Sequence, residues 1–133
     1  MGTLTPILSE RELNKLGILA VAQVGDAVYE LMVRVNLCKS QPTAKKLHTA
    51  RVKYVNAAAQ AAAAQKLMES FTSDELDVFK RARNAESGSV PKAVTREVYS
   101  SATGLEAVWG YLYLSGQTER LEQLFERIWG DMQ

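Results

Sequence analysis

Apolar residues recur at three- and four-residue spacing along most of the chain, and one such stripe runs through Val21, Val24, Val28, Leu31 and Val35. That period predicts a helix from about Leu16 to Leu37 with the five residues on one side. Gln23, Asp26, Glu30 and Arg34 fall on the other side, a narrow polar line in the otherwise apolar QVGDAVYELMVR. Such a helix is central to a fold and carries one polar seam. Pro42 and Thr43 open a second helix, expected to run unbroken to about Glu69, with Thr43 as its N-cap and AAAQAAAA (Ala57 to Ala64) as a strong helix former. SDEL at Ser73 to Leu76 combines a serine cap with acids in the first turn and starts a short helix toward Arg83. Beyond the loop NAESGSVPK (Asn84 to Lys92), helices from about Thr95 to Leu114 and Thr118 to Ile128 complete the chain, the first stopping before Ser115 and Gly116. No strand pattern, repeat or linker is present, so the expected fold is all-α.

Composition fits one domain over residues 1–133: at 47% hydrophobic, the chain is long enough for one well-buried core and short for two. A formal net charge of +1, from 16 basic and 15 acidic residues, points to neither nucleic acid nor membrane. Its distribution says more. No acid occurs from Leu31 through Met68, where Arg34, Lys39, Lys45, Lys46, Arg51, Lys53 and Lys66 are all positive. Lys80, Arg81, Arg83, Lys92 and Arg96 form a second cluster against Glu86 alone, while Glu119, Glu122, Glu126 and Asp131 make the C-terminal segment acidic. A lone Cys38 allows no disulfide within the chain, and with His48 the single histidine, neither a Cys/His metal site nor a nucleophilic triad is supported. Without a signal-peptide pattern or an apolar run of membrane length, a cytoplasmic protein is expected.

Two acids stand out. Asp26 follows Gly25 in the middle of an apolar helix, and Glu106 has the same kind of setting in YSSATGLEAVWGYLYL, where Tyr99, Thr103, Glu106 and Gly110 share a line. An unpaired buried carboxylate costs on the order of several kcal/mol, so each should pair, protonate or bind a cation. Oxygen ligands from two helices suit a hard cation. A salt bridge to Arg34 or a more distant arginine would serve as well, and the pattern alone leaves both readings open.

GDAVYE (Gly25 to Glu30), RNAESGSVPK (Arg83 to Lys92) and YSSATGLEAVWGYLYLSG (Tyr99 to Gly116) occur in order over nearly the whole chain, and together they resemble the Mini-ribonuclease III family. The resemblance implies a small magnesium-dependent endoribonuclease that cuts double-stranded RNA, with a ribonuclease III catalytic domain, no separate RNA-binding domain and a homodimeric state. It also implies a substrate in large-subunit (23S) ribosomal RNA precursor, with a ribosomal-protein helper left open. Asp26 takes the place of the catalytic, metal-binding aspartate and Glu106 that of the metal-binding glutamate. Full-length ribonuclease III enzymes carry two further acids, at the positions of Ala22 and Thr103, and the Mini subfamily resembles this chain in lacking them. Two carboxylates per site favour one tightly held magnesium over two, and the number stays open, since a second could arrive with the RNA phosphate.

Duplex RNA is read by shape through phosphates and 2′-hydroxyls, so a basic surface on this domain must serve. Lys45, Lys46, His48, Lys53, Arg83, Asn84, Ser87 and Lys92 are the candidates, with Ser89 beside them, although a solvated helix face would look the same. The apolar surplus of the first long helix, including Val28, Leu31 and Met32, is the candidate dimer face. Two other classes remain: a catalytically silent RNA-binding or ribosome-assembly module of the same fold, and a helical adaptor whose acids are structural.

Overall fold

Capping side chains set most of the helix starts. The computed structural model describes residues 2–85, 88 and 90–133. Ser9 and Glu12 form a capping box at the start of α1 (Glu10–Asn14), a helix too short for the hydrophobic period to reveal. After α2 (Ile18–Cys38), Thr43 caps α3 (Ala44–Val55) by accepting from the Lys46 amide. The unbroken helix expected from Thr43 to Glu69 is two helices. Asn56 lies in extended backbone, φ −72° and ψ 161°, and its side chain accepts from the Ala59 amide to start α4 (Ala57–Leu67) afresh. An asparagine offers the chain this alternative to continuing, and here the cap outweighs the propensity of the alanines.

A 3₁₀ turn, Met68–Ser70, leads to α5 (Ser73–Asn84). Its cap is Thr72 and not Ser73 as expected, because Glu75 stands three residues after Thr72 and returns the bond that Leu76 could not return to Ser73. Thr95 caps α6 (Arg96–Leu114), Gly116 turns the chain at φ +77°, and α7 (Thr118–Met132) runs a turn past Ile128. All regular structure among the described residues is helical, as expected for an all-α fold, and no helix among them is long and apolar enough to cross a membrane.

The centre of the molecule is α6, against which α2, α4, α5 and α7 pack. Its Leu105, Ala107, Val108, Trp109 and Leu112 are fully buried. Tyr29 of α2 stacks on Trp109 with ring centroids 5.8 Å apart and meets Phe125 of α7 edge-on. The stripe expected on α2 is buried only in part: Val21 and Val28 face the core, whereas Leu31 and Val35 are 58% and 48% exposed. Tyr29, Val33 and Leu37 are buried instead. Because α2 is apolar around most of its circumference, several stripes satisfy the helical period, and the approach of α6 selects among them. An ion pair joins α5 to α7, with Arg120 Nε donating to buried Glu75 at 2.8 Å and the same guanidinium reaching the Ser70 carbonyl. Burial pushes the Glu75 carboxyl up, but Arg120 and the cap at Thr72 outweigh it and hold the group below its ordinary value.

Candidate active site

Two glycines let two helices touch backbone to backbone. A Cβ on Gly25 would overlap the Glu106 carbonyl oxygen, and one on Gly110 would overlap the Val21 carbonyl oxygen. Asp26 follows the first glycine and Glu106 lies one turn before the second, so the contact brings both carboxylates into one open cleft. The cleft has a volume of about 520 Å³ and is completed by Leu19, Ala22, Gln23, Tyr99 and Thr103. This accounts for an aspartate directly after a glycine in the middle of α2. Asp26 is exposed, however, and not buried as its apolar sequence context suggested, because Gln23 and Asp26 of the polar line face the cleft and not the core. Glu106 is half-buried.

Neither acid joins an ion pair among the described residues. Arg34, the partner the sequence offered to Asp26, binds Glu30 at 3.3 Å, and Arg51 binds the same carboxylate at 2.9 Å. Burial, then the hydrogen bonding and charge of Asp26, push the Glu106 carboxyl up to about 8, while the Gln60 carboxamide opposes the shift. A Glu106 carboxyl raised in this way is relieved by a proton or by a bound cation. Two hard oxygen donors on rigid helices, with the Gln23 carboxamide and Thr103 hydroxyl in the same cleft, fit an ion such as magnesium that keeps several of its waters. No group of three or more acids, histidines or cysteines suited to a metal occurs among the described residues, so two carboxylates would carry the ion. Positions 22 and 103, where further acids stand in larger enzymes of the implied family, line this same cleft as Ala22 and Thr103. The Thr103 hydroxyl donates back to the Tyr99 carbonyl at 3.0 Å, leaving its lone pairs free.

The basic candidates occupy two places. Lys45, Lys46, His48 and Lys53 are exposed on α3, a helix with no fully buried residue, while Arg51 of the same helix turns inward to Glu30. Arg83 is half-buried at the end of α5, its guanidinium 5.7 Å from the Phe79 ring centroid and its Nε donating to Asn84. Asn84 and Lys92 are exposed, whereas Ser87 and Ser89 lie outside the described residues. Gln60 was not anticipated. It is buried beside Glu106, and its only signal in the sequence is that it interrupts a run of alanines.

Residues 19–117 match the Ribonuclease III domain family. A Mini-ribonuclease 3 from Thermoanaerobacter sp. is 40% identical over 124 residues, covering 92% of this chain and 87% of the relative. Proteins of the same name from Symbiobacterium thermophilum and Staphylococcus aureus are 42% and 40% identical, covering 81% and 90% of this chain and 84% and 91% of their own. The crystal structure of a Fusobacterium nucleatum protein superposes with a TM-score of 0.80 at 26% identity, over 86% of this chain and 93% of that one.

Proposed function

Since the chain belongs to the ribonuclease III domain family and is an endoribonuclease related to Mini-ribonuclease 3, we propose that it hydrolyses double-stranded RNA with magnesium held by Asp26 and Glu106. The observation that carries this reading is the convergence of two carboxylates, free of ion pairs among the described residues, from α2 and α6 in one open cleft. A magnesium ion bound there supplies an activated water and offsets charge on the phosphate oxygens. The chain's own part is to hold the two carboxylates together through the Gly25 and Gly110 contact and to keep the cleft open to a phosphodiester. Lys45, Lys46, His48 and Lys53 on α3, with Arg83, Asn84, Ser87 and Lys92 around the loop before α6, are the proposed contacts to the RNA backbone.

A second copy completes the proposal, because paired cuts on opposite strands of a duplex need two opposed sites and a symmetric dimer supplies them. Exposed Leu31 and Val35 support α2 as the interface, whereas Val28 is buried and Met32 packs on the core within the chain. Since α7, which lies wholly beyond the matched residues, packs on α4 and α6, the whole chain reads as one catalytic domain. The proposed substrate is 23S ribosomal RNA precursor in the cytoplasm, with a ribosomal protein as helper, on the strength of the Mini-ribonuclease 3 relatives. Neither silent module nor adaptor gains an observation in its favour. The test is cleavage of a duplex RNA in magnesium by the wild type, Asp26→Asn and Glu106→Gln. Both variants should bind the duplex and leave it intact, and cleavage by either at the wild-type rate would remove these acids from the site.

A further inference from the structure

Exposed apolar surface with a polar rim marks a place where a protein meets a partner. A pocket of this kind lies where the N-terminal segment and α1 meet the start of α2, α5 and the end of α6. Its floor is apolar: Val21 and Val78 are buried there, and Leu13, Ile18 and Tyr111 are half-buried. Leu16 at its edge is 37% exposed, and Ile7, next in the chain to the lining residue Leu8, is 59% exposed. The N-terminal wall is held in place, because the Leu8 amide donates to the Leu114 carbonyl at 2.8 Å and the Tyr113 hydroxyl donates to the Thr3 carbonyl at 2.6 Å. Three exposed acids, Glu10, Asp74 and Asp77, stand around this floor with one base, Arg81. We propose that the pocket is a docking site for a basic protein partner, which inserts one lysine or arginine with its aliphatic stem on the apolar floor and its charged head among the acids.

Size and charge together select this occupant. The volume, about 200 Å³, falls below the ~300–1,000 Å³ usual for small-molecule sites, and suits one long side chain. Lysine and arginine lay an apolar stem along apolar surface while keeping the charge at its edge, which is the division this pocket presents. Arg81 does not neutralise the rim. Its contact with Asp77 is 4.0 Å long between exposed groups and contributes little, while Glu10 and Asp74 join no ion pair among the described residues. Three acids against one arginine leave the rim two charges negative, which repels phosphate and so disfavours RNA. An apolar floor offers nothing to the several ammonium groups of a polyamine, whereas exposed Ile7 and Leu16 suit apolar residues flanking an inserted anchor. No residue of α3 lines the pocket, nor does Asp26 or Glu106, so a partner seated there leaves the proposed RNA helix and the cleft uncovered.

The test is to titrate the blocked peptide acetyl-Leu-Arg-Leu-amide into the isotope-labelled full chain at low salt and follow the backbone amide signals by NMR. Signals of residues 10–18, 74–81 and 111–115 should shift, and those of α3 should not. Citrulline in place of the peptide's arginine keeps the shape without the charge and should bind about five-fold more weakly. The double variant Asp74→Asn, Asp77→Asn should weaken binding of the arginine peptide by a similar factor, and Leu16→Ser should weaken it through the apolar edge. All three changes are at exposed positions, thermal melting checks the fold, and the citrulline peptide tests the charge on the unaltered protein. Duplex cleavage should be the same in wild type and variants. No shift at millimolar peptide, an equal response to the citrulline peptide, or unchanged affinity in either folded variant overturns the proposal. Spermidine or duplex RNA moving the same amides as strongly would give the pocket to a free polyamine or to nucleic acid, and movement of these amides on dilution would give it to a second copy. Each of those results also overturns it.

Discussion

Acids that face each other without a base or a cation either repel or take up a proton, and this gives those of the cleft a sign that a salt bridge would not have. In chelator, Asp26→Asn and Glu106→Gln should melt at or above the wild-type temperature, whereas breaking a buried ion pair would cost about 3–5 kcal/mol. The glycines beside them behave oppositely. A methyl at Gly110 meets the Val21 backbone, so Gly110→Ala should cost about 3 kcal/mol or more and abolish cleavage. At helical Gly130 a Cβ meets nothing within 4 Å, and Gly130→Ala should be neutral or stabilising by up to about 1 kcal/mol in denaturant unfolding. Asp26 and Glu106 were legible in the sequence because an acid in an apolar helical run is chemically expensive unless something offsets it. The exposure of Asp26 was not, since a polar line has the same spacing whether it faces a cleft or a core. Gln60 stayed hidden because its place beside Glu106 arises from the packing of α4 on α6, and its neighbours in sequence describe only helix propensity.

Between elements, the basic residues of α3 are of two kinds. Its exposed lysines make no ion pair among the described residues, whereas Arg51 turns inward to Glu30, so replacing the lysines tests RNA contact with little structural cost. Each of Lys45→Ala, Lys46→Ala and Lys53→Ala should reduce the magnitude of the salt slope of duplex binding by about one unit, with thermal melting unchanged. An unaltered slope in the triple variant would move the RNA face off α3. The join between α5 and α7 is tested by pH. Because the folded state holds the Glu75 carboxyl below its ordinary value of 4.5, its stabilisation is present above that pH and is lost as pH falls through the lowered value. Glu75→Gln should cost about 3–5 kcal/mol near neutrality, leave Arg120 without its charge partner, and flatten the acid limb of a stability–pH curve. Four of the seven α-helices among the described residues, α2, α5, α6 and α7, follow singly from periodicity and breakers, since long amphipathic segments repeat the same signal many times. The break at Asn56 and the cap at Thr72 turn on single side-chain bonds, which a period averaged over turns does not register.

At the scale of the whole molecule, the exposed apolar positions Leu31 and Val35 single out α2 as the proposed face of association. Light scattering at micromolar concentration should give a dimer for the wild type and a monomer for Leu31→Glu, with the helical content of both the same. A monomeric wild type that still makes paired cuts would require two successive nicks. Because α2 comes early in the chain and α6 late, the meeting of Gly25 and Gly110 also bears on how the protein is made. Contacts between segments so distant in sequence form only once both are present, after the local helices. A growing chain that has reached α5 therefore carries Asp26 but no Glu106, and holds half of the proposed site. The same docking event that buries Trp109 brings the second of these acids to the first.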